Sequence, residues 1–146
     1  MSAPGPGVNR ARNFGGGMAC GELIAFFDDD VELVSSLFFH ELGKVLARPT
    51  VAAAGGDYGT VNGTDLWGRG YNALCSVWRA SAGHGIAAML LGGGMVVRRE
   101  VWTAVGGFDE KIIYGGSEVS LICSMRSIHG EVVYSPHLRV NHRTSG

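Results

Sequence analysis

The sequence predicts an α/β fold with a mostly parallel central sheet flanked by helices. Three observations carry this. Short apolar runs alternate with stretches whose apolar residues recur at helical spacing. The run Leu23-Ile24-Ala25-Phe26-Phe27 is uninterrupted, as suits a strand buried on both faces of a parallel sheet. That run stops abruptly in Asp28-Asp29-Asp30, and open α/β sheets bind their ligands outside the carboxyl ends of strands.

The elements follow in order. Met1 to Gly7, with two prolines and two glycines, reads as a disordered leader, so the domain is expected over 8–146. Val8 to Cys20 reads as a short helix despite Gly15-Gly16-Gly17, which are poor helix formers. The glycines do not form a phosphate loop of the G-x-G-x-x-G kind, because no strand precedes them. After the carboxylates, Leu33, Leu37, Phe38, Leu42, Val45 and Leu46 form one helical stripe, which Pro49 ends. Val51 to Gly56 reads as a strand. Tyr58 to Gly70 has loop composition with a turn at Asn62-Gly63, and Tyr71 to Ala82 reads as a helix. Met95-Val96-Val97 follows three glycines. Arg98 to Val105 reads as a helix closed by Gly106-Gly107. Ser117 can cap a helix that carries Leu121, Ile122, Met125 and Ile128 and ends at Gly130. Glu131 to His142 reads as a closing strand.

Composition bounds the rest. The chain has 146 residues, 46% apolar and 17% charged, enough for one domain with a real core. The net charge of −1 gives no electrostatic case for nucleic-acid binding. The three cysteines are odd in number and lack C-x-x-C spacing, which argues against a disulfide framework or structural zinc. They fit a reducing compartment. No apolar run reaches about 18 residues, the length of a membrane span. The expected location is the cytoplasm, with the cytoplasmic face of a membrane as a variant of it.

Chemistry concentrates in the carboxylates. Alternation along a strand puts Asp28 and Asp30 on one face and Asp29 on the other. Two neighbouring carboxylates repel unless something positive lies between them. A hard divalent cation takes oxygen ligands and bridges to phosphate. The bland alternative, that Asp30 caps the next helix, leaves Asp28 unexplained. At the other end of the chain, His142 shares a strand face with Leu138 and Val140. A lone histidine there is ordinarily structural.

Two blocks of residues also carry a family resemblance. Arg12-Asn13, Ala19, Gly21-Glu22 and Phe27-Asp28-Asp29-Asp30 resemble the metal-site region of glycosyltransferase family 2. The second block runs from Gly93-Gly94-Met95 through Arg98-Arg99-Glu100 to Val105-Gly106-Gly107-Phe108-Asp109-Glu110, and it is the more specific. Val140-Asn141-His142 matches the family's closing apolar-x-His. The resemblance spans Val8 to Arg143. It implies a GT-A fold, that of nucleotide-diphospho-sugar transferases, truncated at the N-terminus: the strand-helix-strand portion that binds the nucleotide base has no counterpart.

The resemblance implies roles residue by residue. Asp30 and His142 would hold Mn²⁺ or Mg²⁺. Arg12, Asp28, Asp29, Gly93 and Gly94 would serve the nucleotide-sugar donor, a UDP-sugar before others. Glu118 would be the catalytic base of an inverting transfer to an acceptor hydroxyl, on a saccharide or a lipid-linked acceptor. Here the sequence departs from the family, which has Glu-Asp or Glu-Asn where this chain has Ser117-Glu118-Val119. Counted from Leu121, Glu118 takes the base position; counted back from Gly130, Val119 does. The alternative function is a non-catalytic scaffold or binding module that retains the fold. Without the first strands, self-association or a missing complementary segment is expected.

Overall fold

The computed structural model describes residues 7–60, 69, 70, 73, 93–113 and 115–143. The turn at Asn62-Gly63 lies outside them, as does all of the helix expected over 71–82 but residue 73. Four helices and seven strands are formed by the described residues: α1 (Val8–Met18), β1 (Leu23–Phe27), β2 (Val31–Leu33), α2 (Phe38–Leu46), β3 (Val51–Gly55), β4 (Tyr58–Thr60), β5 (Gly94–Arg98), α3 (Arg99–Val105), α4 (Ser117–Ser127), β6 (Glu131–Tyr134) and β7 (Val140–His142).

The α/β class is as expected. The main sheet has the order β1-β5-β3-β6. β1 pairs antiparallel with β5, from Leu23↔Arg98 to Phe27↔Gly94, and β5 pairs antiparallel with β3. β3 and β6 are parallel. Three strands therefore run the same way and β5 alone is reversed. Strand direction is mostly parallel, while two of the three pairings are antiparallel. A smaller sheet of order β2-β7-β4 sits beside it, with β2 antiparallel and β4 parallel to β7.

The core lies on both faces of the main sheet. On one face Ile24, Phe26, Ala53, Met95 and Val97 pack with Phe108 and with Leu121, Ile122 and Met125 of α4. Phe26 meets Phe108 edge-on with ring centroids 5.2 Å apart, a geometry worth about 0.5–1.5 kcal/mol beyond area burial. On the other face Val51, Ala54 and Val96 pack with Phe38, Leu42 and Leu46 of α2 and with Leu138 and Val140.

Four expectations are corrected. β1 is not buried on both faces: Ile24 and Phe26 are buried, whereas Leu23, Ala25 and Phe27 are exposed. Among the described residues β1 pairs only with β5 and stands at the sheet margin. The strand buried throughout is β3. The helix after the carboxylates starts at Phe38, not near Leu33, because Val31–Leu33 pairs with β7 instead. Leu37 is consequently exposed, and its backbone N–H is taken by the Ser35 hydroxyl at 3.1 Å. Tyr58–Thr60, expected as loop, forms β4. The closing strand is two strands in different sheets, broken at the turn around Pro136, where the Leu138 N–H bonds the Ser135 carbonyl at 3.0 Å.

Candidate functional site

A groove of about 720 Å³ opens between α1 and β1 and runs to the strand end. It is lined on the helix side by Arg12, Gly15 and Gly16 and on the strand side by Phe27, Asp28, Asp29, Asp30 and His142.

The first component is α1. Asn9, Arg12, Asn13 and Gly16 fall at i, i+3, i+4 and i+7, one face of a helix. The Asn9 amide donates to the carbonyls of Asp109 (3.0 Å) and Ile112 (2.8 Å). The Asn13 amide donates to the Phe108 carbonyl at 2.8 Å, while its own carbonyl accepts the Phe108 N–H at 2.8 Å. Gly16 lies against the Trp102 ring, and a Cβ there would come within 2.8 Å of Trp102 Cζ2. Sequence reasoning gave Asn9 no role; the signal that could have found it is its helical spacing to Asn13 and Gly16.

The second component is the turn after β1. The strand ends at Phe27, and the Val31 N–H bonds the Asp28 carbonyl at 3.3 Å. Strand alternation therefore does not extend through the carboxylates, and all three line the groove. Asp28 and Asp30 also have separate partners. Asp28 Oδ1 accepts from Arg12 Nη2 at 3.1 Å. His142 Nε2 and Asp30 Oδ2 are 2.7 Å apart. Asp29 is exposed on the groove wall. Asp30 precedes β2 and caps no helix, which removes the bland reading. His142 reaches Asp30 because β7 pairs with β2 in the register Val31↔His142.

The third component is the N-terminus of α4. Gly115 and Gly116 have φ of +66° and +79°, a left-handed turn that glycine adopts without strain. Gly116, not Ser117, occupies the cap position. Ser117 is buried, and its hydroxyl donates to Glu118 Oε2 at 3.0 Å instead. Glu118 Oε1 accepts from Arg12 Nη1 at 3.0 Å. Burial pushes the Glu118 carboxyl up. Its own backbone N–H, the Ser117 hydroxyl and the Arg12 guanidinium outweigh that and hold it below the ordinary glutamate range. Val119 is exposed. Asp109 and Glu110 lie on the exposed loop before α4, where Glu110 takes hydrogen bonds from Asn13 (3.0 Å) and Arg10 (3.3 Å).

Gly93 and Gly94 have a packing reason of their own. Both are buried, and the Gly93 carbonyl accepts the Asp28 N–H at 3.4 Å. A Cβ on Gly94 would lie 2.8 Å from Val140 Cγ2, so its bare backbone accommodates β7. Neither glycine lines the groove.

Arg12, Asp28, Asp30, His142 and Glu118 are thus brought together. Among the described residues no group of three or more histidines, cysteines or carboxylates is placed to hold a metal ion. The Asp30–His142 pair offers one oxygen and one nitrogen donor beside the groove. That donor set fits Mn²⁺ or Mg²⁺ whose remaining ligands come from diphosphate oxygens and water.

No family model matches the chain. It is 29% identical, over 96% of its length, to an O-antigen biosynthesis protein, RfbC, from Myxococcus xanthus, of which it spans 12%. Among solved structures it is similar to a mannosyltransferase from Pyrobaculum calidifontis in complex with GDP-Man and Mn²⁺, with a TM-score of 0.67 and 20% identity, over 93% of this chain and 36% of that one. It is also similar to glucosyl-3-phosphoglycerate synthase from Mycobacterium tuberculosis in complex with Mn²⁺ and UDP-glucose, with a TM-score of 0.59 and 20% identity, over 98% of this chain and 49% of that one. A third likeness is to GalNAc-T7 with UDP, GalNAc and Mn²⁺, at a TM-score of 0.65 and 15% identity, over 94% of this chain and 30% of that one. At these identities the likeness is one of fold, and the fold is that of the GT-A glycosyltransferases. The chain spans half or less of the length of each of these proteins.

Proposed function

We propose that this chain carries the donor-phosphate and acceptor side of a metal-dependent glycosyltransferase that moves a sugar from a nucleotide-diphosphate sugar to an acceptor hydroxyl with inversion. The observation that carries the reading is the groove at the carboxyl end of β1. There Arg12–Asp28 and Asp30–His142 meet, and Arg12 reaches on to Glu118. Solved proteins of this fold that hold UDP- or GDP-sugars together with Mn²⁺ support it.

The residues divide the work as follows. Asp30 and His142 would hold Mn²⁺ or Mg²⁺, which when bound supplies positive charge beside the diphosphate leaving group. Asp28, Asp29 and Arg12 would face the donor, with the Gly93 and Gly94 backbone behind them. An acceptor hydroxyl attacks the anomeric carbon from the side opposite the diphosphate. Its proton passes to Glu118, and the diphosphate leaves with the electron pair of the broken C–O bond. Glu118 is ionised at neutral pH, as a base must be. Its lowered pKa makes it a weak base until the acceptor and the exclusion of water raise it. The contact to Arg12 supports the register that puts Glu118, and not the exposed Val119, at the base position.

The second reading is a scaffold that kept the fold without the chemistry. It is favoured by the absence, among the described residues, of a metal-holding group of three side chains. The deciding experiment is turnover of UDP- and GDP-sugars with Mn²⁺ and acceptor by the parent and by Glu118→Gln. Glu118→Gln should lower turnover by roughly 10²–10⁴-fold, with donor binding nearly unchanged. Normal turnover by Glu118→Gln, with Asp109→Asn dead, places the base on the loop before α4. If the parent itself turns over neither donor, the scaffold reading stands.

A further inference from the structure

We propose that Arg12 is the positioning residue of this site: one guanidinium, held rigidly by α1 and Phe108, ties the Glu118 carboxylate to Asp28 and so fixes the base relative to the donor carboxylate. The inference rests on the transferase reading of Glu118 and Asp28 and adds to it the residue that joins them.

Geometry is the first support. Nη1 donates to Glu118 Oε1 at 3.0 Å and Nη2 to Asp28 Oδ1 at 3.1 Å. A planar fork of donors holds two carboxylates at a fixed spacing; the rotatable donors of a lysine ammonium do not. The Arg12 side chain is 13% exposed, against 38% for Asp28 and 22% for Glu118, so the cation is the most sheltered of the three. A sheltered, charge-assisted pair has less water competing for its hydrogen bonds than a surface pair.

Rigidity is the second support. The guanidinium carbon lies 5.3 Å from the centroid of the Phe108 ring, over its face. Phe108 is itself buried and fixed edge-on by Phe26. Asn9 and Asn13, on either side of Arg12, clamp α1 to the backbone between Phe108 and Ile112. Four pieces of chain therefore meet at one side chain: α1, the end of β1, the Phe108 loop and the N-terminus of α4. Glu118 has two other partners, its own backbone N–H and the Ser117 hydroxyl, both from its own helix. Arg12 is the charged group that reaches it from another element, with Asp28 behind.

The consequence is chemical. A base at the start of a helix works only at a set distance from the acceptor hydroxyl, and misplacement by about 1 Å costs roughly 10²-fold in rate. A residue that merely gripped the donor phosphates would leave Glu118 untouched.

The test is a carbon-detected NMR titration of the Glu118 side chain in the parent, Arg12→Gln and Arg12→Lys, paired with steady-state transfer. In Arg12→Gln the Glu118 midpoint should rise. The turnover number should fall by roughly 10²-fold, and the acid limb of its pH profile should move up with the midpoint. In Arg12→Lys the midpoint should rise less, with turnover only partly rescued. If Arg12→Gln does not fold, Arg12→Lys decides alone: a parental midpoint with parental turnover overturns the inference. It is also overturned if either folded variant raises only the donor KM while Glu118 titrates as in the parent. If no variant or parent transfers sugar but the Glu118 midpoint still moves, Arg12 positions Glu118 and it is the transferase reading that falls.

Discussion

Glu118 shows how a single side chain can couple the site to stability. Its folded pKa lies below that of the unfolded chain, because hydrogen bonds and Arg12 together outweigh burial. Unfolding at low pH therefore takes up a proton. The stability this group contributes is complete above the ordinary glutamate range and is lost as pH falls through the lowered folded value. Urea midpoints across that window should show the gap between the parent and Glu118→Gln shrinking as pH drops; a gap that stays constant removes the linkage. The residues of the site differ in how far the sequence reveals them. Asp28 and Asp30 stand out because they interrupt an apolar run, and His142 because it ends one. Helical spacing groups Asn9 with Asn13, but what they clamp, and the pairing of Arg12 with Glu118, no local pattern shows, since the partners lie some hundred positions away. The resemblance assigns Gly94 to the donor, and the structure adds a packing partner in Val140.

Among the elements, α1 carries the most consequence for its length. It forms despite three consecutive glycines because one face is held by tertiary contacts, which override weak propensity. Gly15 and Gly17 are open to solvent on their Cβ side, but Gly16 is not. Gly16→Ala should cost about 1–3 kcal/mol by overpacking against Trp102 and should displace Arg12 from Asp28 and Glu118. Gly15→Ala should be neutral or mildly stabilising, since alanine is the better helix former. Thermal melts of the two variants check this, and equal behaviour would show that the Trp102 contact does not constrain the helix. Boundaries were legible where chain chemistry sets them. Gly106 closes α3 in the left-handed conformation, with its own N–H donating to the Thr103 carbonyl and the Gly107 N–H to the Trp102 carbonyl. They were illegible where pairing sets them. β2, β4 and β7 are three-residue strands that exist only through one another, and nothing in Val31–Leu33 distinguishes a strand from a first helical turn.

For the whole molecule, alternation of apolar and amphipathic stretches was enough for the α/β class, while the reversal of β5 depends on chain path and was not readable. No helix of the described residues is long and apolar enough to cross a membrane. The open face of β1 has Leu23 38% and Phe27 37% exposed, and Leu33, Val34, Leu37 and Phe39 are exposed as well. Apolar surface of this kind on a strand that among the described residues stands at the sheet margin favours association. Sedimentation should therefore show self-association that grows with concentration, and a sharp monomer boundary at high concentration would contradict it. The groove beside that face is where the central claim is decided. Calorimetric titration of the parent and of Asp30→Ala with UDP, each with and without Mn²⁺, tests it most directly. Binding should appear in the parent only when Mn²⁺ is present, vanish in Asp30→Ala, and be weakened less by Asp28→Ala. Metal-independent binding, or binding that survives unchanged in both variants, would mean that the end of β1 is not a nucleotide-sugar site.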